Sequence, residues 1–449
     1  MLDSCLSLEF PSVDGKSLVC SFDGGEISSD AGFVLLRQSD RVCGMSAGFS
    51  QSLNDRRDPR RIRHSRARML CERIYAIAQG YEDANDLDTL GTDPALKSAC
   101  DVLPRTGARL ASQPTISRFE NSVGRRELIR AAEALARCVI AQLPADTKRI
   151  DLDVDITDDP CHGQQEFEFF NGFYDTHCFL PLLVYVTGSD GRQWLLGALL
   201  RHGRAHSTRG LRWVLRRAVG LIRERFTQAQ IVLRGDCGFG YNTVLRMCDE
   251  LGIDFVLGVA RNRRLQVLST AAQIDACIKY TQLKGSSKGE VPACREFGEF
   301  LYKADTWAKK ERVIVKAEIT RGELNPRFVV TSLTEDAEQV YQYYCARGDR
   351  ENRIKEFKLD LLSGRTSCHR FAANQFRLLL HLGASILMSV LQKAVQGTRW
   401  AKAQVNTLRL RLLKVGARIV ESVRRVHWSL PTSFPERDTW RHIHERLTS

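Results

Sequence analysis

The stretch Arg149–Pro160, RIDLDVDITDDP, decides the fold. Ile150, Leu152, Val154 and Ile156 point one way and Asp151, Asp153 and Asp155 the other, which is the period of a β-strand. With Asp158 and Asp159 added, five acids fall within nine residues. Carboxylates this close repel one another unless water or a cation neutralises them. An exposed strand running into a turn would also produce the pattern. The rest of the chain weighs against that, because Lys and Arg number 66 against 53 Asp and Glu, a formal charge of +13 in 449 residues. Such a balance favours a polyanionic partner, nucleic acid before a membrane surface.

Downstream, CFLPLLVYVTGSDGRQWLLGALL reads as two strands, 178–187 and 193–200, joined by a Gly-Ser-Asp-Gly turn. STRGLRWVLRRAVGLIRERF is an amphipathic helix capped by Ser207 or Thr208, with Leu211, Val214, Val219 and Ile222 in its apolar stripe. AQIVLRGDCGFG is a strand ending on Asp236 and a glycine-rich turn, followed by a helix at 244–251 and a strand at 254–259. Three strands, then helix, strand, helix, strand, describe an α/β sheet in which the first and fourth strands are neighbours. From 263 to 334, EFGEFLYKA, ERVIVKAEIT and PRFVVTSL are β-like, and the segment reads as a β-rich insertion.

A helix follows with Tyr344, Arg347, Glu351 and Lys358 at offsets of three, seven and fourteen. At about 100° per residue these four share an arc of roughly 60°. The face combines a carboxylate, two cations and a phenol, suited to a metal and a phosphate. Ordinary i, i+4 charge pairing on a solvated helix is the competing reading. Leu378–Leu391 is apolar but interrupted by His381 and shorter than the roughly 20 residues a bilayer needs, so it reads as a core helix. From Gln396 to Trp428 eight Lys and Arg face the single acid Glu421, and LRLRLLKVGARIV alternates like a strand pair around Gly416, with a helix left open.

Upstream, RRDPRRIRHSRAR (Arg56–Arg68) sets seven arginines against Asp58. Arg56, Arg57, Arg60, Arg61 and Arg63 read as a phosphate-binding strip. The helix after it has Leu70, Ile74 and Ile77 on one face and breaks at Gly80. In SQPTISRFEN, Ser112 can cap, Ile116 and Phe119 share a face, and Gln113, Ser117 and Arg118 are free to reach bases or phosphates. A helix-turn-helix-like DNA reader and an ordinary surface helix are both compatible with this. MLDSCLSLEF has no signal-peptide pattern, and fourteen cysteines without a C-x2-C pair read as reduced thiols in a cytoplasmic protein. The expected organisation is a helix-rich DNA-binding region at 1–145, a core at 146–262, the β-rich insertion at 263–334, helices completing the core at 335–395 and a basic C-terminal region at 396–449.

Asp155, Asp236 and Glu351 are hard oxygen ligands of the kind that suit Mg²⁺ or Mn²⁺. Two such ions about 4 Å apart serve in-line phosphodiester displacement. The chain resembles the DDE transposases of bacterial insertion sequences, which have a ribonuclease H-like core, an α/β fold with a mixed sheet flanked by helices. Tyr344, Arg347, Glu351 and Lys358 match the Tyr-x2-Arg-x3-Glu-x6-Lys signature of one large group without a gap. DITDDPCHG is similar to its first block and IVLRGDCGFG to its second. These two runs and ENRIKEFKLDLLSGRTSCHRFAANQFRLLL resemble the thirteen-eighty group, over roughly residues 150 to 430 and more loosely before them.

The resemblance implies that Asp155, Asp236 and Glu351 hold two metal ions; this sequence departs from the family pattern in offering Asp151 and Asp153 as alternative ligands. It implies that Arg347 and Lys358 contact phosphate, that Tyr344 supports the same strand, and that Trp307 stacks on a flipped base. It further implies a nucleoid-associated homodimer on double-stranded DNA. That dimer would bind terminal inverted repeats, cut the element ends and join the 3′-hydroxyls to target DNA. A catalytically silent DNA-binding relative and a nuclease that cuts without joining are the competing readings.

Overall fold

The alternation at Arg149 becomes an eight-residue strand, β1 (Arg149–Ile156), in a computed structural model that describes residues 7–286 and 292–448, the side chains of Ser286 and residues 349–351 excepted. The chain divides into two compact units. One takes the residues up to 123 together with 360–362 and 383 onward, and the other takes 124–359 and 363–382.

In the second unit β1 is followed by β2 (Leu182–Thr187), β3 (Gln193–Leu199), α1 (Leu211–Arg225), β4 (Gln230–Gly235), α2 (Asn242–Leu251) and β5 (Asp254–Val259). The order matches the reading of the sequence. β2 runs antiparallel to β1 and β3, while β4 is parallel to β1 and β5 parallel to β4. The antiparallel pairings need no crossover helix, and the parallel ones do. All six residues of β2 are buried, which explains why LLVYVT is a continuous apolar run with no alternation.

The stretch from 263 is not β-rich at its start. It opens with two helices, α3 (Arg263–Leu268) and α4 (Thr270–Ser286), and Asn262 caps α3 by accepting the Leu265 N–H at 3.0 Å. On α4 the small Ala272 and Ala276 are buried while Ile274 and Ile278 are about half exposed, so the sequence shows no clear helical stripe. The strands that follow, β6 (Cys294–Tyr302), β7 (Glu311–Thr320) and β8 (Arg327–Thr331), do not form a sheet of their own. β8 pairs antiparallel with β5, and the order across the sheet is β6-β7-β8-β5-β4-β1-β2-β3. Among the described residues this is a mixed sheet of nine strands, counting the short Glu323–Leu324 beside β7. With its flanking helices it is consistent with a ribonuclease H-like DDE fold.

Helix α5 (Ala337–Cys345) lays Val340 and Tyr341 against Val232, Val256, Ile314 and Val329 of four sheet strands. A 3₁₀ turn at Ala346–Gly348, α6 (Asp349–Lys355) and a π-turn at Glu356–Asp360 continue it. The expectation of one regular helix from Tyr344 to Lys358 is therefore corrected. The 3₁₀ turn overwinds the backbone and the π-turn underwinds it, so the two phase errors oppose each other.

In the first unit the helix Arg66–Gln79 buries Leu70, Ile74 and Ile77 completely and stops at Gly80, whose φ of +100° is glycine territory. Its fully buried Arg73 donates to Glu120 at 2.9 Å on the helix Gln113–Ser122. LRLRLLKVGARIV is helical before Gly416 and a strand only after it. Val405–Leu408 runs into a π-turn at Arg409–Leu413, and Ala417–Glu421 pairs with Val426–Ser429 and Ile27–Ser28. None of the thirteen described cysteines is joined to another in a disulfide, and Cys5 lies outside the described residues. No helix among the described residues is long and apolar enough to cross a membrane.

Candidate active site

Parallel pairing of β1 with β4 sets Leu152 level with Leu233 and Asp153 level with Arg234. Continued two residues past its last pair, that register puts Asp155 and Asp236 at corresponding positions, Asp155 at the carboxyl end of β1 and Asp236 just after β4. That edge is where open α/β sheets bind ligands. Asp236 Oδ1 accepts the Gly238 N–H at 2.9 Å, and Asp155 Oδ1 accepts the Ile156 N–H at 2.8 Å.

Asp151 and Asp153 are committed elsewhere. Asp153 is fully buried and takes both Nε (2.8 Å) and Nη2 (2.7 Å) of Arg234, itself 2% exposed. Asp151 accepts the Tyr343 hydroxyl and lies 3.6 Å from the guanidinium groups of both Arg149 and Arg234. Burial pushes its carboxyl up and the Arg234 charge opposes that. The Tyr343 ring stacks against Arg149 and Arg234 at 4.1 and 4.7 Å. Of the strand's three aspartates, only Asp155 stands at its end beside Asp236. The alternating pattern did not single it out, but the arginine inside the apolar run IVLRG was a legible hint that one acid opposite would be neutralised.

The turn after β4 is glycine-rich because backbones meet there. A Cβ on Gly258 would lie 2.7 Å from the Cys237 nitrogen and 2.8 Å from the Tyr344 hydroxyl, and one on Gly240 would lie 2.4 Å from the Gly258 carbonyl. Tyr344 is thereby packed beside the backbone of Asp236 and Cys237. Burial pushes its phenol up, Arg347 opposes that, and Asp236 adds to it. The Arg347 guanidinium sits 5.6 Å from the Tyr344 ring, and its buried Nη1 has no hydrogen-bond partner among the described residues. A buried donor left open costs free energy unless an acceptor arrives. Lys358, in the π-turn, pairs with Asp158 of the first block. Glu351 lies in α6, and its side chain is outside the described residues. Among the described residues no three His, Cys, Asp or Glu side chains cluster as a metal site.

Asp159 was not singled out by sequence. It is 1% exposed, accepts the Thr366 hydroxyl at 2.7 Å, and its Oδ1 has no hydrogen-bond partner among the described residues. Burial pushes the carboxyl up to about 7, against the pull of Thr366 and Lys358. An unfolded aspartate titrates near ~3.9, so between about pH 4 and 7 the native state keeps a proton that the unfolded chain has lost. Stability contributed by Asp159 is full below that window and falls as pH rises through it. Asp159→Asn should therefore lose roughly 2 kcal/mol less unfolding free energy than wild type between pH 5 and pH 8. Urea unfolding at the two pH values measures this, and equal losses would refute it.

The arginine strip is irregular chain around a 3₁₀ turn at Pro59–Arg61, capped by Asp58 accepting the Arg60 N–H at 3.0 Å. Arg56, Arg60, Arg61 and Arg63 are exposed. Arg57 is instead tied to Asp55 through Nε (2.8 Å) and Nη2 (2.6 Å), which lowers the Asp55 carboxyl to about 2. On Gln113–Ser122, Ile116 and Phe119 are buried and Arg118 is exposed, 3.2 Å from the Thr115 hydroxyl. Ser112 does not cap through its side chain, and Asp88 accepts the Gln113 N–H at 3.0 Å in its place. Trp307 is 4% exposed and packs edge-on against Tyr302 at 5.4 Å. A ring so enclosed presents no face to a base.

A family model described as transposase DDE domain group 1 matches residues 10–449 of the chain. No curated protein matches it.

Proposed function

The chain belongs to the transposase DDE domain group 1 family, and from that premise we propose that it mobilises a bacterial insertion sequence of the thirteen-eighty group. It binds the element's terminal inverted repeats, cleaves at their ends and joins the freed 3′-hydroxyls to target DNA. The observation that supports this reading is that Arg234 and Tyr343 occupy Asp153 and Asp151, leaving Asp155 as the aspartate at the end of β1, next to the strand that leads into Asp236.

Enzymes of this family generally use divalent metal ions, and the donor set here fits, being carboxylate oxygens with no thiol or imidazole among them. Asp155, Asp236 and Glu351 would hold the ions. When bound, a Mg²⁺ or Mn²⁺ pair supplies an activated nucleophile and stabilises the leaving oxygen.

The chain's own residues place the DNA. The open Nη1 of Arg347 donates to a phosphate oxygen. Lys358 exchanges Asp158 for a second phosphate contact. Tyr344 braces the turn under Asp236. Water attacks first and the 3′-hydroxyl second, so one held geometry serves both steps. Arg56, Arg60, Arg61 and Arg63 contact phosphates of the repeats, with two copies of the chain on the DNA.

Incubating the protein with Mg²⁺ and duplex DNA bearing the element's ends should yield nicked ends and joined products. Glu351→Gln should bind the same DNA and yield neither. A wild-type protein that binds ends and never cleaves would overturn the reading in favour of a silent DNA-binding protein, and nicking without joining would reduce it to a nuclease.

A further inference from the structure

Between β1 and β2 the chain builds a small three-stranded sheet from Asp159–Pro160, Phe169–Asn171 and Thr176–Phe179. It begins four residues past Asp155, so this arm stands at the same carboxyl edge of the large sheet. Phe167, Phe169, Phe170 and Phe173 are 58%, 36%, 43% and 87% exposed, four phenylalanines within seven residues. Tyr174 packs edge-on behind Phe173 at 4.9 Å. A single exposed ring is ordinary, but a cluster on one arm marks a surface that meets something.

The arm is held in shape. Asn171 Oδ1 accepts the N–H groups of Phe173 and Tyr174 at 2.9 and 3.2 Å, and its Nδ2 donates to the Gly203 carbonyl at 2.7 Å. Gly203 leaves no room for a side chain, since a Cβ would lie 2.3 Å from the Cys178 carbonyl. Phe173 is thus pushed outward by a built turn.

A guanidinium and two imidazoles interleave with the rings. The Arg204 guanidinium lies 5.3 Å over Phe169, while His202 and His177 pack edge-on against Phe169 and Phe170, each at 5.5 Å. Arg201, 4% exposed, donates to the carbonyls of Leu180, His206, Ser207 and Arg209 and so fixes the loop that bears Arg204 and Arg209. Of the nearby acids, Glu166 accepts the Phe371 N–H and Glu168 the Gln165 N–H, while Asp175 on the same arm is exposed. Tyr174 is also electrostatically in reach of the site, its phenol pushed up by burial and then by Asp158, Asp155 and Asp236.

We propose that this arm holds an unpaired nucleobase of the DNA strand engaged at Asp155 and Asp236, with Phe173 as the ring on which the base stacks. A protein partner would also meet apolar rings, but the interleaved Arg and His side chains and the adjoining carboxylate pair favour nucleic acid. Stacking works for every base, because each has a π-face, and the exposed Arg204 takes a flanking phosphate. The inference rests on the DNA-cleaving reading of the neighbouring site.

The test uses the full chain, a single-stranded oligonucleotide carrying a 2-aminopurine, and a blunt duplex of the same sequence. Wild type should change the 2-aminopurine fluorescence on binding. Phe173→Ala should bind the single strand roughly 5- to 100-fold more weakly, the range that stacking on one ring supplies. It should leave duplex affinity unaltered, and Phe173→Trp should restore the signal. Single-strand binding by Phe173→Ala equal to wild type would overturn the proposal, and so would an equal loss on both probes. Because Phe173 is mostly exposed, the variant should fold, which its thermal midpoint checks. Asp236→Asn separates the two readings: it should retain the fluorescence change. If wild type never cleaves DNA yet Phe173→Ala still loses the single strand, the arm stands and the cleavage reading falls.

Discussion

Asp236→Asn should leave the protein folded and bound to DNA while slowing cleavage on the order of 10³-fold. A divalent ion at a phosphodiester supplies several kcal/mol of transition-state stabilisation, and each ~1.4 kcal/mol lost is tenfold in rate. Asparagine keeps the oxygen that accepts the Gly238 N–H, so the turn after β4 retains its hydrogen bond. It loses the charge that would anchor the ion. Asp155→Asn should do the same, and the double variant should be little worse than either single, because two ligands of one site act as a unit. Single-turnover cleavage with end-bearing DNA measures the rates, and fluorescence anisotropy measures binding. A variant that cleaves within about tenfold of wild type would remove Asp236 from the site.

Arg234→Ala acts on stability. It strips the partner from Asp153, which is fully buried, and removes the guanidinium that lies beside both Asp151 and the Tyr343 ring. Breaking a buried ion pair from one side typically costs about 3–5 kcal/mol, because the charge left behind has no solvent. Against a total stability of roughly 5–15 kcal/mol, that can unfold the unit at physiological temperature. Replacing both partners at once, Arg234→Met with Asp153→Leu, should recover much of the loss, since no buried charge then remains. Denaturant midpoints of the single and double variants decide it. A single variant that loses less than about 1 kcal/mol would show that water reaches Asp153 in its native place.

The two experiments probe different aspartates of one strand, and the sequence alone does not say which belongs to which. Asp151, Asp153 and Asp155 are chemically identical and share one face in RIDLDVDIT. What separates them is their surroundings: an arginine on β4 opposite Asp153, the Tyr343 hydroxyl on Asp151, and for Asp155 a place at the end of β1 past the last residue paired with β4. Tyr343 and Asp159 were unreadable for a similar reason. Their partners, Asp151 and Thr366, are 192 and 207 residues away. The helix Thr270–Ser286 escaped notice because it buries alanines and exposes isoleucines, the reverse of the pattern that identifies an amphipathic helix.

Wherever local chemistry repeats at a fixed period, the sequence by itself determined the answer: the strand at Arg149, the helix Arg66–Gln79 and its stop at Gly80, and the order of strands and crossover helices. Those features depend on residues a few positions apart, so a linear reading contains all the terms. The tertiary structure alone decided the joining of β6, β7 and β8 to the same sheet, the burial of Trp307, and the neutralisation of Asp151 and Asp153. Each depends on which distant backbone lies alongside, and pairing partners follow from the packing of the whole unit rather than from any stretch within it.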